Sequence, residues 1–289
     1  MSYFKIITDS TADLPKEFLL ENKIGVFSLS YEICGEVHSA GNELTPSEFY
    51  QLMREGNATK TSQVNPDQAK EGFLAAQNDC KDILYIAFSS GLSGTFNSVR
   101  LAAEELMEED PSFHITVIDS KCASLGEGLL VYKAVEMRNQ GKTLDETVSW
   151  INDNIYHFVH MFTVDDLNHL YRGGRVSKST AIVGTVLNIK PVLHVDDEGH
   201  LVAIGKERGR KKALLSLVDY MEKKMGSFKD KNDIVFISHC DCLEDAEFVK
   251  EEIKNRFGIE KYIINYVGPT IGSHSGPGTI ALFFMGDER

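Results

Sequence analysis

Several features are missing from this sequence, and each absence removes a class of function. No apolar run approaches the length of a membrane span, so no spanning helix is expected. The opening residues Met1-Ser-Tyr-Phe-Lys5 run straight into a strand pattern, so no secretory leader is expected either. Positive charge is scarce. The formal net charge is -13, which argues against a general nucleic-acid binder, because phosphate contacts need a basic surface. The five cysteines are odd in number and scattered. Cys240 and Cys242 form a C-x-C beside His239, which is not a zinc spacing, and no second ligand pair stands out. Reduced thiols, a cytoplasmic location and no metal are the expectation. Neither a Gly-x-x-x-x-Gly-Lys-Ser/Thr phosphate loop nor a Gly-x-Gly-x-x-Gly after the first strand is present, so the chain does not read as a nucleotide-using catalyst. There is no internal repeat and no low-complexity linker.

What is present is an ordinary globular composition, 42% hydrophobic and 25% charged, over 289 residues. That length is natural for two domains, each with a sizeable core. The first half alternates strand and helix patterns: strands at 4–8, 25–33, 83–88 and 114–119, helices at 14–22, 46–55, 67–78, 95–107 and 126–140. Thr45-Pro-Ser-Glu48, Asn65-Pro-Asp-Gln68 and Thr143-Leu-Asp-Glu146 are helix starts, with a side-chain cap on the first turn and, in two of them, proline at the first helical position. Such alternation implies a parallel sheet with right-handed crossovers and ligands beyond the carboxyl ends of the strands. The second half mixes strands at 160–164, 190–196, 200–205, 233–239, 262–267 and 279–285 with helices at 165–171, 180–187, 211–225 and 243–257. The expected fold is α/β in two domains, 1–155 with a mainly parallel sheet and 156–289 with a mixed sheet.

Four segments carry no core signal and share one chemistry. Gly268-Pro-Thr-Ile-Gly-Ser-His-Ser-Gly-Pro-Gly-Thr279 is glycine-spaced, rich in hydroxyls and has one imidazole; it reads as a wide connection able to approach a carboxylate, phosphate or hydroxyl. Asp9-Ser-Thr-Ala-Asp13, Thr61-Ser-Gln63 and Ser89-Ser-Gly-Leu-Ser-Gly-Thr95 put small hydroxyl residues at strand ends or helix starts, where unpaired N–H groups attract anions. Any one of these is equally what helix capping asks for. Their repetition around one sheet favours a shared site.

Taken in order along the whole chain, these segments, together with Arg172-Gly-Gly-Arg-Val-Ser177, resemble the DegV family. The resemblance implies a two-domain α/β fold that binds a long-chain fatty acid near the domain interface. It also implies a carrier rather than an enzyme, with no cofactor and no catalytic residue. Its partner would be the catalytic subunit of a bacterial fatty acid kinase, to which the bound carboxylate is presented for acyl-phosphate formation in phospholipid metabolism; transient membrane contact is compatible with that role. The family motifs place the head group on Thr61, Ser93, Gly94 and His274, with Ser62 and Ser273 beside them. Arg172 has two readings, contact with the carboxylate or incoming phosphate, or, like Arg175, capping of a helix end and pairing with Asp165 or Asp166. Phe27, Leu29, Met161, Phe283 and the apolar stretch 180–187 are candidate tunnel lining or ordinary core. The run Lys206-Glu-Arg-Gly-Arg-Lys-Lys212 is the most basic stretch and reads as a docking patch or a solvated face. The alternative function is an acyl hydrolase or transferase using Ser93 and His274, although the Gly-x-Ser-x-Gly spacing of a nucleophile elbow is not met.

Overall fold

The computed structural model describes residues 4–77, 80–177 and 188–289. The helix expected over 180–187 lies outside the described residues. In chain order the first part comprises β1 (Lys5–Asp9), α1 (Lys16–Glu21), β2 (Gly25–Phe27), β3 (Ser30–Ile33), β4 (Glu36–His38), α2 (Pro46–Arg54), β5 (Thr59–Ser62) and α3 (Pro66–Ala76). It continues with β6 (Asp82–Ala87), α4 (Thr95–Glu109), β7 (His114–Asp119), α5 (Leu125–Asn139) and α6 (Leu144–Asn154). The second part comprises β8 (Phe158–Thr163), α7 (Leu167–Arg172), β9 (Ile189–Val195), β10 (Leu201–Arg208), α8 (Arg210–Met225), β11 (Ile234–His239), α9 (Leu243–Phe257), β12 (Lys261–Tyr266), α10 (Pro269–Ser275) and β13 (Ile280–Met285).

Among the described residues the strands form three sheets. The order β2-β1-β6-β7 is parallel throughout. The order β10-β9-β8-β13-β11-β12 is mixed, with β11 and β12 its parallel pair. A small antiparallel sheet, β4-β3-β5, stands apart from both. The strands of the parallel sheet all precede residue 155 and those of the mixed sheet all follow it.

The fold is joined through α5. Leu125, Leu129, Leu130, Val131, Ala134 and Val135 are all buried, so this helix is apolar around most of its circumference. A helix of that kind must be covered on several sides. It packs on β1 and β6 on one side and on β8, β11 and β13 on the other. Two glycines allow the approach: a Cβ at Gly126 would lie 2.0 Å from His160 Nε2, and one at Gly128 would lie 2.7 Å from the carbonyl oxygen of Ala12. The main core cluster therefore contains residues of both sheets, from Ile6 and Ile86 to Phe158 and Phe283.

Two expectations need correction. The single strand expected over 25–33 is two strands in two sheets. The Leu29 N–H donates to Ser10 Oγ at 3.1 Å rather than to a strand neighbour, and the chain leaves the parallel sheet there. The alternation of Phe27, Leu29 and Tyr31 is real, but the three rings and chains go to different places: Phe27 against Phe73 and Tyr85, Tyr31 against His38 and Phe49. The glycine-spaced run expected as an irregular connection contains a helix, α10. Gly268 caps it with Pro269 at the first position, and Gly276 ends it at φ +80°. Gly272 is demanded by packing, because a Cβ there would meet Tyr50 Oη at 2.3 Å.

Candidate functional site

A cavity opens between the carboxyl ends of the parallel strands and the inner face of the mixed sheet. Its walls are largely apolar, with Leu29, Phe88, Leu92, Phe162, Leu201 and Phe283 among them. The period of two along β8 sorts the sheet's side chains: Phe162 faces the cavity, whereas Met161 points into the separate core under α8 and α9. Of the expected lining, Leu29 and Phe283 are there; Phe27 and Met161 are core.

One end of the cavity is polar and is assembled from four elements. The small sheet supplies Thr61 from β5, the loop into α4 supplies Ser93 and Gly94, α10 supplies His274, and the turn after α7 supplies Arg175. Thr61 Oγ1 and His274 Nε2 share a hydrogen bond of 2.8 Å. Ser93 Oγ accepts from the Thr95 N–H at 3.2 Å and lies 3.0 Å from Thr95 Oγ1, just ahead of Gly94, the N-cap residue of α4. Gln63 lies over Gly94, where a Cβ would meet its Oε1 at 2.1 Å, and donates to Ser98 Oγ at 2.9 Å. Gly173 has a comparable purpose: a Cβ there would lie 2.1 Å from His274 Nδ1. Gly173 of the Arg-Gly-Gly-Arg turn thus lets the imidazole lie against backbone.

Burial, with the positive charge of Arg175 second, pushes the His274 pKa down to about 4, so the imidazole is neutral at pH 7. Arg175 donates to the Leu92 carbonyl through Nε at 3.2 Å and Nη2 at 3.0 Å, and to the Gly173 carbonyl. Among the described residues no carboxylate pairs with it. Asp165, one of the partners considered from the sequence, is taken by Lys190 at 2.6 Å and Arg210 at 3.4 Å, while Asp166 caps α7. The site therefore presents a half-buried, uncompensated cation beside a neutral imidazole and hydroxyls.

The expected site residues divide. Thr61, Ser62, Ser93, Gly94 and His274 all line the cavity, Ser62 from an exposed position on its rim. Ser273 does not: its Oγ donates back along α10 to the Pro269 carbonyl at 2.8 Å. Arg172 is exposed, with Nη2 3.0 Å from His169 Nδ1, and is not part of the cavity wall. Arg175 stands where Arg172 was expected, three residues later in the same motif. Among the described residues Ser93 and His274 each have other partners and make no nucleophile–base contact, and no carboxylate orients the imidazole as a hydrolase would need.

The Asp9-Ser-Thr-Ala-Asp13 segment does not reach the cavity either. It forms a buried acid knot behind the cavity floor. Asp9 accepts from the N–H groups of Phe88 at 2.9 Å and Thr11 at 3.1 Å. Glu127, on α5, bonds Thr8 Oγ1 at 2.7 Å and Thr11 Oγ1 at 3.0 Å. Thr8 has one hydroxyl hydrogen, and the Ile86 carbonyl at 2.9 Å can only accept it, so the Glu127 carboxyl must supply the hydrogen of the 2.7 Å bond. That agrees with burial holding the Glu127 pKa well above the carboxylate range. Burial likewise raises Asp9 to about 6 and Asp13 to about 7. Asp13 ties the two polar regions together: it accepts from Ser124 Oγ, on the cavity floor, at 2.5 Å and from the Gly268 N–H, at the start of α10, at 2.9 Å.

The basic run is less free than its composition suggests. Lys206 and Arg208 continue β10, while Arg210 opens α8 and bonds Asp245 at 2.7 Å and 2.9 Å. Lys206, Arg208, Lys211 and Lys212 are exposed.

Comparison with known proteins adds to this geometry. A family model described as an uncharacterised protein of the DegV family matches residues 3–287. A DegV domain-containing protein of Clostridium perfringens is 44% identical over 100% of this chain and 99% of its own length. A DegV family protein of Thermus thermophilus, solved for its fatty acid binding, superposes with a TM-score of 0.87 at 30% identity, covering 98% of this chain and 99% of that one. A stearic acid-binding protein of Eubacterium ventriosum superposes with a TM-score of 0.89 at 26% identity, covering 98% of each chain.

Proposed function

The chain belongs to the DegV family, and we propose that it is a fatty-acid carrier that presents a bound acid to a fatty acid kinase. The acyl chain lies in the apolar cavity, and the carboxylate sits at the polar end against Arg175, His274, Thr61, Ser93 and the Gly94 N–H. The kinase transfers a phosphoryl group to that carboxylate, and this chain supplies no catalyst of its own. The carrier works in the cytoplasm and touches a membrane only transiently, consistent with the finding that no helix among the described residues is long and apolar enough to cross one. The two halves of the chain, 1–155 and 156–289, are the two domains, with the fatty-acid site at their interface.

One observation supports this reading above the others: Arg175 is a half-buried cation without a carboxylate partner among the described residues, at the end of an apolar cavity. A buried charge is costly unless paired, so the site is incomplete until an anion arrives. An acid with about fifteen methylenes gains on the order of 10 kcal/mol from burial of its chain, before the costs of ordering it. That anchors the tail, and the cation with its hydroxyls selects the head.

Denaturing extraction of the purified protein, followed by mass spectrometry, tests the carrier. Stoichiometric long-chain fatty acid is expected, and oleate added to delipidated protein should raise Tm, since binding to the native state alone must do so. No lipid in repeated preparations and no shift would overturn it. The kinase role is tested by coupled acyl-phosphate formation. Reversing Lys206, Arg208, Lys211 and Lys212 should slow it most at low salt and leave lipid loading intact; equal turnover at low salt removes docking from this patch.

A further inference from the structure

Two serines interrupt the apolar wall well inside the cavity, and they are not part of the head-group site. Ser124 precedes α5 and Ser238 lies on β11; both line the cavity and both are buried. Other polar side chains of the inner wall are already engaged. His160 Nδ1–H donates to the Phe158 carbonyl at 3.1 Å, and its Nε2 accepts from the Ala123 N–H at 3.3 Å. Thr279 Oγ1 donates to the carbonyl oxygens of Gly276 at 3.0 Å and Ser275 at 3.1 Å. Ser275 Oγ lies 3.4 Å from Cys240 Sγ.

The serine pair is different. A hydroxyl has one hydrogen and two lone pairs. Ser124 Oγ donates to Asp13 at 2.5 Å and to Ser238 Oγ at 3.0 Å, so its one hydrogen is shared between them. The hydrogen of Ser238 itself has no acceptor among the described residues, although the residue is fully buried on the wall of an apolar cavity. Its neighbours on that wall, Ala281 and Phe283 on β13, offer no side-chain acceptor. Ser238 stands on β11, whereas Thr61, Ser93 and His274 come from β5, the loop into α4 and α10, so this hydrogen lies outside the head-group set.

Resting on the fatty-acid reading above, we propose that the cavity takes long-chain acids carrying a hydroxyl group partway along the chain, and that Ser238 is the residue that recognises it. The Ser238 O–H donates to the substituent's oxygen, and the apolar wall holds the chain on either side. Buried donors without an acceptor are disfavoured, so a hydroxylated chain satisfies a group that a plain chain leaves unpaired.

The test is competitive binding to delipidated full-length protein, with stearic acid against a series of monohydroxystearic acids that moves the hydroxyl along the chain. One isomer should stand out, and its advantage over stearic acid should fall by about threefold to tenfold in Ser238→Ala, the worth of one hydrogen bond, while stearic acid itself binds the variant at least as well. Ser238→Cys keeps the volume with a weak donor and should give the same loss, which covers the case in which the alanine variant does not fold. Equal ratios in wild type and variants, as a bound water or a purely structural serine pair would give, overturn this proposal while stearic acid still binds. Failure to bind any of the acids overturns the carrier reading itself.

Discussion

The cavity lies between two polar clusters that burial treats alike and leaves with different charge. At the mouth, desolvation keeps His274 neutral, but Arg175 stays cationic because guanidinium does not give up its proton. In the knot behind the floor, desolvation drives Asp9, Asp13 and Glu127 toward their neutral forms, and each carboxyl is enclosed by hydroxyl or N–H partners from its own surroundings. The mouth is short of an acceptor; the knot is internally complete. Their difference separates a place that waits for a ligand from one that holds the scaffold, although both are rich in the same hydroxyl residues.

The largest expected effect removes the uncompensated charge. Arg175→Gln should weaken fatty-acid binding by roughly tenfold to a hundredfold, the range for a hydrogen bond to a charged group. Arg172→Gln should change it little, because Arg172 is exposed and contacts His169. Titration of both variants with a fluorescent acid, each with its own melting curve to separate folding from binding, checks the pair. Equal losses, or a larger loss at Arg172, would place the anion outside the cavity described.

Next comes pH, which should act on the two clusters with opposite sign. Asp13, raised to about 7, binds more protons folded than unfolded, so its contribution is present in acid and is lost as pH rises through about 7. Its surroundings include Asp9 among the charged groups and Tyr50, whose own pKa Asp13 raises. His274, lowered to about 4, binds fewer protons folded, so its contribution is present above the ordinary histidine range and is lost as pH falls below it; Arg175 faces it. Relative to Asp13→Asn, the wild type should lose about 1 kcal/mol between pH 6.5 and 8. Relative to His274→Gln, it should gain about 1 kcal/mol between pH 5.5 and 6.5. Urea denaturation across that range decides, and slopes of the same sign in both comparisons would break the contrast between mouth and knot.

Much of this was legible in the sequence where local chemistry is decisive. The three helix starts beginning at Thr45, Asn65 and Thr143 all form reciprocal capping boxes, because cap and third residue need only each other. Thr61, Ser93, Gly94 and His274, written more than two hundred residues apart, converge on one cavity. What escaped depends on contacts across the chain. Strand β5 reads Thr-Lys-Thr-Ser and has no apolar alternation to announce it; it exists because β3 turns away from the parallel sheet. The helix α10 looks like a loop because Gly272 is written as a breaker, whereas the packing of Tyr50 is what selects glycine. Arg175 was hidden by its neighbour: a motif with two arginines gives no sign of which one turns inward, and Gly173 under the His274 ring is the only local trace of the fold around it. Asp9 and Thr11 resembled site residues because a knot of hydroxyls and acids has the composition of an anion site read in reverse.

The smallest effect is also the sharpest separation of the two clusters, because it makes the same chemical change in each. Thr61→Val and Thr11→Val both replace a hydroxyl by a methyl group at nearly constant volume. Among the described residues the Thr61 hydroxyl bonds His274 alone, across the mouth, and the residue is half-buried, so water can replace its partner in the unliganded protein. Its loss should leave stability within about 0.5 kcal/mol and weaken fatty-acid binding by about threefold to tenfold, one net hydrogen bond. Thr11 is fully buried and bridges Asp9 and Glu127, so its loss takes one hydroxyl partner from each of two buried carboxyls. That should cost about 1–3 kcal/mol of folding stability and leave the affinity of the folded protein for the acid unchanged, since no atom of Thr11 lines the cavity. Urea midpoints and ligand titrations on both variants complete a two-by-two comparison. If Thr61→Val unfolds more easily with binding intact, or Thr11→Val binds more weakly with stability intact, the assignment of mouth to ligand and knot to scaffold is reversed.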